Sequence, residues 1–390
     1  MIKITLFSQL VQLLPRNKFQ KVVNKYQSNK HSKGLDSWTH LISMVFCQIA
    51  QANSVRDISN GLRSITGNLN HLGLEKSPSK SSMSYINKHR DWRVFKDYYF
   101  ELLEYLKGQY NFKRIKLTAL KRKIFILDST TIPLCLSLYD WARFRRKKGA
   151  VKLHLLLDYD GCLPVFAHVT DGKKHDVQVA KQISLPSGSV ILIDKAYIDF
   201  QWLNILDSNG CFFVTRAKDN MDYEIVNDYN IYKKDEHCVL QDMDILLEGV
   251  VTSKKYHKKL RVIRFWDEQQ KRELTFLTNN LSWTATTIAK LYKARWEIEI
   301  FFKHIKQNLK IKSFVGTSEN AVMIQIWTAL ITMLLLLFLK AKATYKWHLS
   351  NLITFIRLNL FVKIDLFFWL NRPFYKPEQK QTNQMALFSG

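Results

Sequence analysis

"KIFILDSTTI", residues 123–132, is the stretch on which the fold turns. Its apolar, β-prone residues Ile124 to Leu127 run into an acid, Asp128, so the segment reads as a buried strand closed by a carboxylate. Ionised groups are costly to bury, so such an acid either caps a loop or binds a cation. Downstream, "VKLHLLLDYDGCLPVFAHVT" (151–170) reads as two strands joined by a turn at Asp158 to Gly161. "KHDVQVAKQI" (174–183) then has a helical pattern. "SVILIDKAY" (189–197) is another apolar strand, and it also ends in an acid, Asp194. Strand, strand, strand, helix, strand is the order of an RNase H-like core. In such a sheet the first and fourth strands are neighbours, so Asp128 and Asp194 converge at one edge.

The rest of the chain is arranged around this core. Residues 1–115 read as an all-α domain: "DSWTHLISMVFCQIAQ" has helical spacing, and "ANSVRDISNGL" offers Ser54 as an N-cap with Asp57 three residues on. Helix, turn, helix with Lys80, Lys88, Arg90 and Arg93 following fits a DNA reader, although plain bundles share the shape. Residues 116–340 are assigned to the catalytic core, interrupted at 198–285 by a β-rich insertion read as an inserted sheet. "WTATTIAKLYKARWEIEIFFKHIKQNLKI" (283–311) reads as one long helix capped by Thr284 or Thr286. Residues 341–390 form C-terminal helices and a tail. The apolar run "IQIWTALITMLLLLFL" (324–339) contains Gln325 and falls short of the roughly 20 residues a bilayer span needs, so a buried core helix is expected and no membrane.

Composition points to the partner. Lys+Arg number 59 against 33 Asp+Glu in 390 residues, a formal net charge of +26. That excess calls for a polyanion such as nucleic acid, against the competing reading of a general bias toward lysine. Five scattered cysteines without a CxxC pair speak against zinc and disulfides and for a reducing cytoplasm. The N-terminus shows no cleavage site of a secretory signal.

A helical wheel sorts the two glutamates of "YKARWEIEIFFKHIKQ" (292–307). At about 100° per residue, Tyr292, Arg295, Glu299, Lys303 and Lys306 fall within roughly 80° of one another. Leu291, Ala294, Ile298, Phe301, Phe302, Ile305 and Leu309 form the adjoining apolar arc. Glu297 lies about 160° from Glu299, with His304 and Asn308. Taken alone, Arg295 and Glu299 are an ordinary i,i+4 ion pair. Beside Asp128 and Asp194, Glu299 completes three carboxylates with no His or Cys. That set suits Mg²⁺ or Mn²⁺, as two ions serving phosphodiester chemistry, with Arg295 and Lys306 gripping phosphates.

Tyr292, Arg295, Glu299 and Lys306 match the Y-x2-R-x3-E-x6-K signature, and with "ILDSTTI" and "LIDKAY" the chain resembles DDE transposases of bacterial insertion sequences, the YREK or IS-four group. The resemblance covers most of the chain, including the interval between Asp194 and Glu299 and a leader-like N-terminus. It implies a transposase that cuts element ends and joins 3′-OH ends to target DNA. Asp128, Asp194 and Glu299 take the catalytic and metal-ligand roles; Tyr292, Arg295 and Lys306 contact DNA phosphates. It further implies terminal inverted repeats and target DNA as partners, a homodimer in the DNA complex, and a bacterial, nucleoid-associated setting. Similar enzymes stack a flipped base on a tryptophan of the insertion; Leu274 stands near the expected place, and Trp266 is the candidate.

Secondary candidates surround this set. In "RFRRKKGAVKLH" (143–154), Arg145, Arg146 and Lys152 are expected DNA contacts, with Lys303 on the helix stripe. His154 in an alternating strand is more simply a packed histidine. His175 and Asp176 read either as a helix start or as a pair behind the site. Two other functions remain open: a catalytically inactive DNA-binding protein, and an RNase H-like nuclease without strand transfer.

Overall fold

The computed structural model describes residues 3–30, 32, 34–65, 67, 69–112, 120–145, 148–229 and 238–375. It is a mixed α/β structure. Six helices come first: α1 (Leu6–Gln12), α2 (Arg16–Lys25), α3 (Ser37–Ala50), α4 (Val55–Arg63), α5 (Lys80–His89) and α6 (Arg93–Gln109). Ser54 does cap α4, accepting from the Asp57 amide at 3.1 Å, while the Asp57 carboxylate turns back to the Asn53 amide at 3.0 Å. Arg90 is buried, its guanidinium spent on the carbonyls of Leu35 and Asp36.

The sheet begins with β1 (Ile124–Leu134), β2 (Arg143–Arg145), β3 (Lys148–Asp158) and β4 (Leu163–Asp171), followed by α7 (Asp176–Ala180) and β5 (Val190–Ile193). It continues through α8 (Phe200–Ser208), β6 (Phe212–Arg216), β7 (Tyr223–Asp228), β8 (Val239–Leu247), α9 (Thr252–Lys255), β9 (Leu260–Asp267) and β10 (Arg272–Thr278). The strands join in the order β2-β3-β1-β5-β6-β10-β9-β8-β7, with β4 on β3. β1 is antiparallel to β3 and parallel to β5, and β5 is parallel to β6. β5 is a continuous buried run, as expected of a parallel strand covered on both faces.

Two sequence expectations change here. The β-rich stretch is no separate sheet: β6 pairs with β5 on one side and with β10 on the other, so β10, β9, β8 and β7 extend the same sheet. The stretch also contains a helix, α8, because joining the parallel strands β5 and β6 requires a crossover. Its Trp202 is buried against the second core.

The chain ends in helices: α10 (Ala285–Ala294), α11 (Trp296–Asn308), α12 (Glu319–Lys342), α13 (Leu349–Leu358) and α14 (Leu366–Asn371). The expected single helix over 283–311 is therefore two helices meeting at Arg295. There the Arg295 amide reaches Tyr292 O (3.0 Å) and the Ile298 amide reaches Arg295 O (3.3 Å), a tightened i to i+3 turn. The turn lets each half bury its own stripe, α10 against β5 and β6 and α11 against β1. Thr284 is the cap, accepting from the Thr287 amide.

α12 is long and apolar enough to cross a membrane by length and composition, yet its apolar window is wholly buried. It packs on α3, α5, α6 and α13. Gln325, the polar residue in its apolar run, is a buried crosslink that donates to Lys310 O and Ser313 O and accepts from the Val315 amide. One continuous core joins the N-terminal helices, one sheet face and α10 to α14, and a smaller core covers the other face.

Candidate active site

The register of β1 and β5 builds the site. Their parallel pairing ends at Leu127 beside Ile193, so Asp128 and Asp194 follow side by side at the C-terminal ends of adjacent strands, roughly 5 Å apart in backbone. By strand alternation both share the face of Ile126 and Leu192, which lies in the larger core with Ile298, Phe301 and Ile305 of α11. That helix brings Glu299 to the same face.

Arg295 links these acids. Its Nη1 donates to Asp128 Oδ2 at 3.2 Å and its Nη2 donates to Glu299 Oε1. Its guanidinium is 13% exposed, and its Nε finds no partner among the described residues. Asp128 also accepts the Ser129 amide at 2.7 Å, and Asp194 caps the 3₁₀ turn Lys195–Tyr197 by accepting the Ala196 amide at 3.0 Å. Asp194 thus serves as a cap while standing beside Asp128.

Charge is unbalanced. Burial pushes the Asp128 carboxyl up to about 6, the Ser129 amide and Arg295 oppose that rise, and the negative charges of Asp194 and Glu299 add to it. Asp128 and Glu299 share the Arg295 guanidinium and Asp194 stands beside Asp128, an arrangement that favours a further cation. The donor set is all oxygen, which fits Mg²⁺ or Mn²⁺. As the side chains stand, no three His, Cys, Asp or Glu among the described residues are gathered to hold a metal ion. The Arg295 guanidinium spans two of the acids instead.

The remaining expected residues fall into place as follows. Tyr292 packs on Phe276, with Arg295 over its ring at 5.7 Å. Lys306 donates to Thr131 O at 2.9 Å, tying α11 to β1, and burial lowers its pKa. Lys303 is exposed on the same helix. Glu297 points elsewhere, toward Tyr159 and Cys162, whose ionisation is disfavoured first by burial and then by its charge. Lys152, expected on DNA, is 15% exposed and paired with Asp176 at 3.2 Å. Arg145 is described by its backbone alone, in β2, and Arg146 lies outside the described residues. Trp266 is 40% exposed on β9, whereas Leu274 is buried on β10.

Sequence reasoning missed Ser129 and Tyr197, and left Asp176 undecided. Asp176 accepts the Ser129 hydroxyl at 2.7 Å as well as Lys152, and His154 Nδ1 lies 3.4 Å from it. His154 is fully buried, its other nitrogen on Thr170 Oγ1 at 3.0 Å, and burial lowers its pKa to about 4. The signal was the polar set Ser129, Lys152, His154 at alternating positions on two strands that pair Ser129 with His154.

Comparison with known proteins bears on this site. The chain is 35% identical over 215 residues to y4zB of Sinorhizobium fredii, described as a transposase (54% of this chain, 59% of that one). It is 30% identical over 233 residues to a transposase for insertion sequence element IS5377 of Geobacillus stearothermophilus (60% and 61%). It is 24% identical over 355 residues to a transposase for insertion sequence element IS4SA of Synechocystis sp. (90% and 97%). The chain thus spans about three fifths of the length of the first two, 59% and 61%. A domain of unknown function, DUF4372, matches residues 3–75. The family described as "Transposase DDE domain" matches residues 119–335, more than half of the chain and all three acids, and the protein belongs to that family.

Proposed function

We propose that this protein is a DNA transposase that cuts insertion-sequence ends and joins the 3′-OH ends to target DNA. The observation that carries the reading is the convergence of Asp128, Asp194 and Glu299 on one sheet face, with Arg295 shared by two of them. The strand order β4-β3-β1-β5-β6, with β1, β5 and β6 parallel, supports an RNase H-like core, and the Tyr292, Arg295, Glu299, Lys306 pattern supports the YREK group. Residues 1–115 would serve as a DNA-binding domain and 341–390 as C-terminal helices, acting in the bacterial cytoplasm as a homodimer on DNA.

Asp128, Asp194 and Glu299 would hold Mg²⁺ or Mn²⁺, which when bound supplies Lewis acidity at phosphate and lowers the pKa of an attacking water or hydroxyl. The chain's own part is positioning. Strand register sets the two aspartates side by side, and the Ser129 amide and the 3₁₀ turn fix their rotamers. Arg295, already charged and desolvated, is placed to trade its carboxylates for a DNA phosphate, which it can grip in bidentate fashion. Lys306 and the exposed Lys303 extend positive charge along α11.

The test is Mg²⁺-dependent cleavage of DNA carrying the element's terminal repeats. Asp194→Asn and Glu299→Gln are expected to lower cleavage by about 10³-fold or more while leaving end binding intact. Cleavage persisting in both variants would overturn the assignment. Joined element-target products separate a transposase from a nuclease, and wild-type protein that binds ends but cuts no substrate would favour an inactive DNA-binding protein.

A further inference from the structure

We propose that Asp176 is a positioning residue for Asp128, acting through Ser129 from the opposite face of the sheet. The inference rests on the reading of Asp128 as a metal ligand.

Ser129 follows Asp128 on β1, so by alternation its side chain points to the other face, where Tyr197 and Leu127 belong to the smaller core. Its hydroxyl donates to Asp176 Oδ1 at 2.7 Å, while its amide donates to Asp128 Oδ1, also at 2.7 Å. One residue therefore holds a carboxylate on each side of the sheet. Asp176 is itself anchored by Lys152 Nζ at 3.2 Å, and His154 Nδ1, also from β3, lies 3.4 Å away. Lys152 also donates to Lys174 O at 3.2 Å, which binds the segment before α7 to the strand. The buried Tyr197, three residues past Asp194, lies near enough to feel the charges of Asp176, Asp128 and Asp194 together.

The geometry has a directional consequence. With the Ser129 side chain fixed, the peptide between Asp128 and Ser129 is fixed, and its N–H holds one Asp128 oxygen, leaving Oδ2 to face the cation now supplied by Arg295. Outer partners of this kind typically change metal affinity by about 10–100-fold when removed. An ion pair of purely structural value would act differently: loss of the charge opposite Lys152 would matter, and loss of the Ser129 hydroxyl would not.

Calorimetric titration of the full chain with Mn²⁺ alone separates the two. Asp176→Asn keeps an oxygen acceptor for Ser129 and is expected to bind within about threefold of wild type, whereas Asp176→Ala and Ser129→Ala should each weaken binding about tenfold. The Ser129→Ala, Asp176→Ala double variant should be no weaker than the worse single, because both act along one path. Ser129→Ala leaves the Lys152–Asp176 ion pair intact and keeps the question answerable if Asp176→Ala does not fold. The proposal is overturned if Ser129→Ala binds as wild type does, if Asp176→Asn is as weak as Asp176→Ala, or if the effects add. Failure of the underlying reading looks different: Asp128→Asn would bind Mn²⁺ as tightly as wild type, removing the site and this inference with it.

Discussion

Arg261 on β9 and Arg295 between α10 and α11 are both shielded arginines held by carboxylates, 8% and 13% exposed, yet their surroundings differ in kind. Arg261 bonds one acid, Asp242, with a second, Asp244, close by on β8. It forks onto Asp242 with bonds of 2.7 and 2.5 Å, and its remaining amino group donates to Trp283 O just before α10. Both guanidinium–carboxylate bonds go to one partner, and the pair staples the β8–β9 region to the start of that helix. Arg295 meets two acids with one nitrogen each, has a third nearby, and leaves Nε unpartnered among the described residues. A guanidinium forked onto one carboxylate holds two strands together; one divided between two carboxylates is the easier to draw onto another charged group.

The largest effect expected from this contrast is on stability. Asp242→Ala strands the buried Arg261 and should cost about 3–5 kcal/mol of unfolding free energy, read from urea midpoints. Arg295→Gln should behave in reverse. It leaves Asp128 and Glu299, 20% and 33% exposed and so within reach of water, in place of a stranded buried cation, so its stability loss stays well below that of Asp242→Ala, while DNA cleavage per folded molecule falls about 100-fold. Equal stability losses in the two variants would make Arg295 a second staple and dissolve the distinction.

A smaller effect asks what burial does when no opposite charge is present. His40 is fully buried with a neutral partner, Asn87, at 2.7 Å; burial first, and then the charge of Arg90, lowers its pKa from 6.5 to about 3. The folded state therefore binds fewer protons than the unfolded state between these values. Its contribution is fully present above pH 6.5 and is lost as pH falls toward 3, by about 2 kcal/mol at pH 5. His40→Gln should flatten that slope. An unchanged slope would place the acid sensitivity elsewhere.

Much of the candidate site's geometry was legible because local pattern carries it. Strands that end in Asp128 and Asp194 stand out as apolar runs closed by acids, and the periodicity of α11 separates Glu299 from Glu297. The reading of α12 as buried followed from its length and from Gln325, which found full hydrogen bonding inside. Lys152 shows where local pattern stops. Its charge and neighbours suggested DNA, but its distance from Asp176 depends on how β1, β3 and α7 come together, and sequence spacing does not encode that.

By itself the sequence determined the strands that lead to Asp128 and Asp194, which carboxylates close those apolar strands, and which face of α11 each charge occupies. These follow from periods of two and about 3.6 residues acting over a few positions. Only the tertiary structure decided that the β-rich stretch extends one sheet, that the helix before Glu299 turns at Arg295, and that Arg261 pairs off while Arg295 is shared. Each of these depends on segments far apart in the chain competing for the same neighbours, a choice settled by packing and charge in three dimensions.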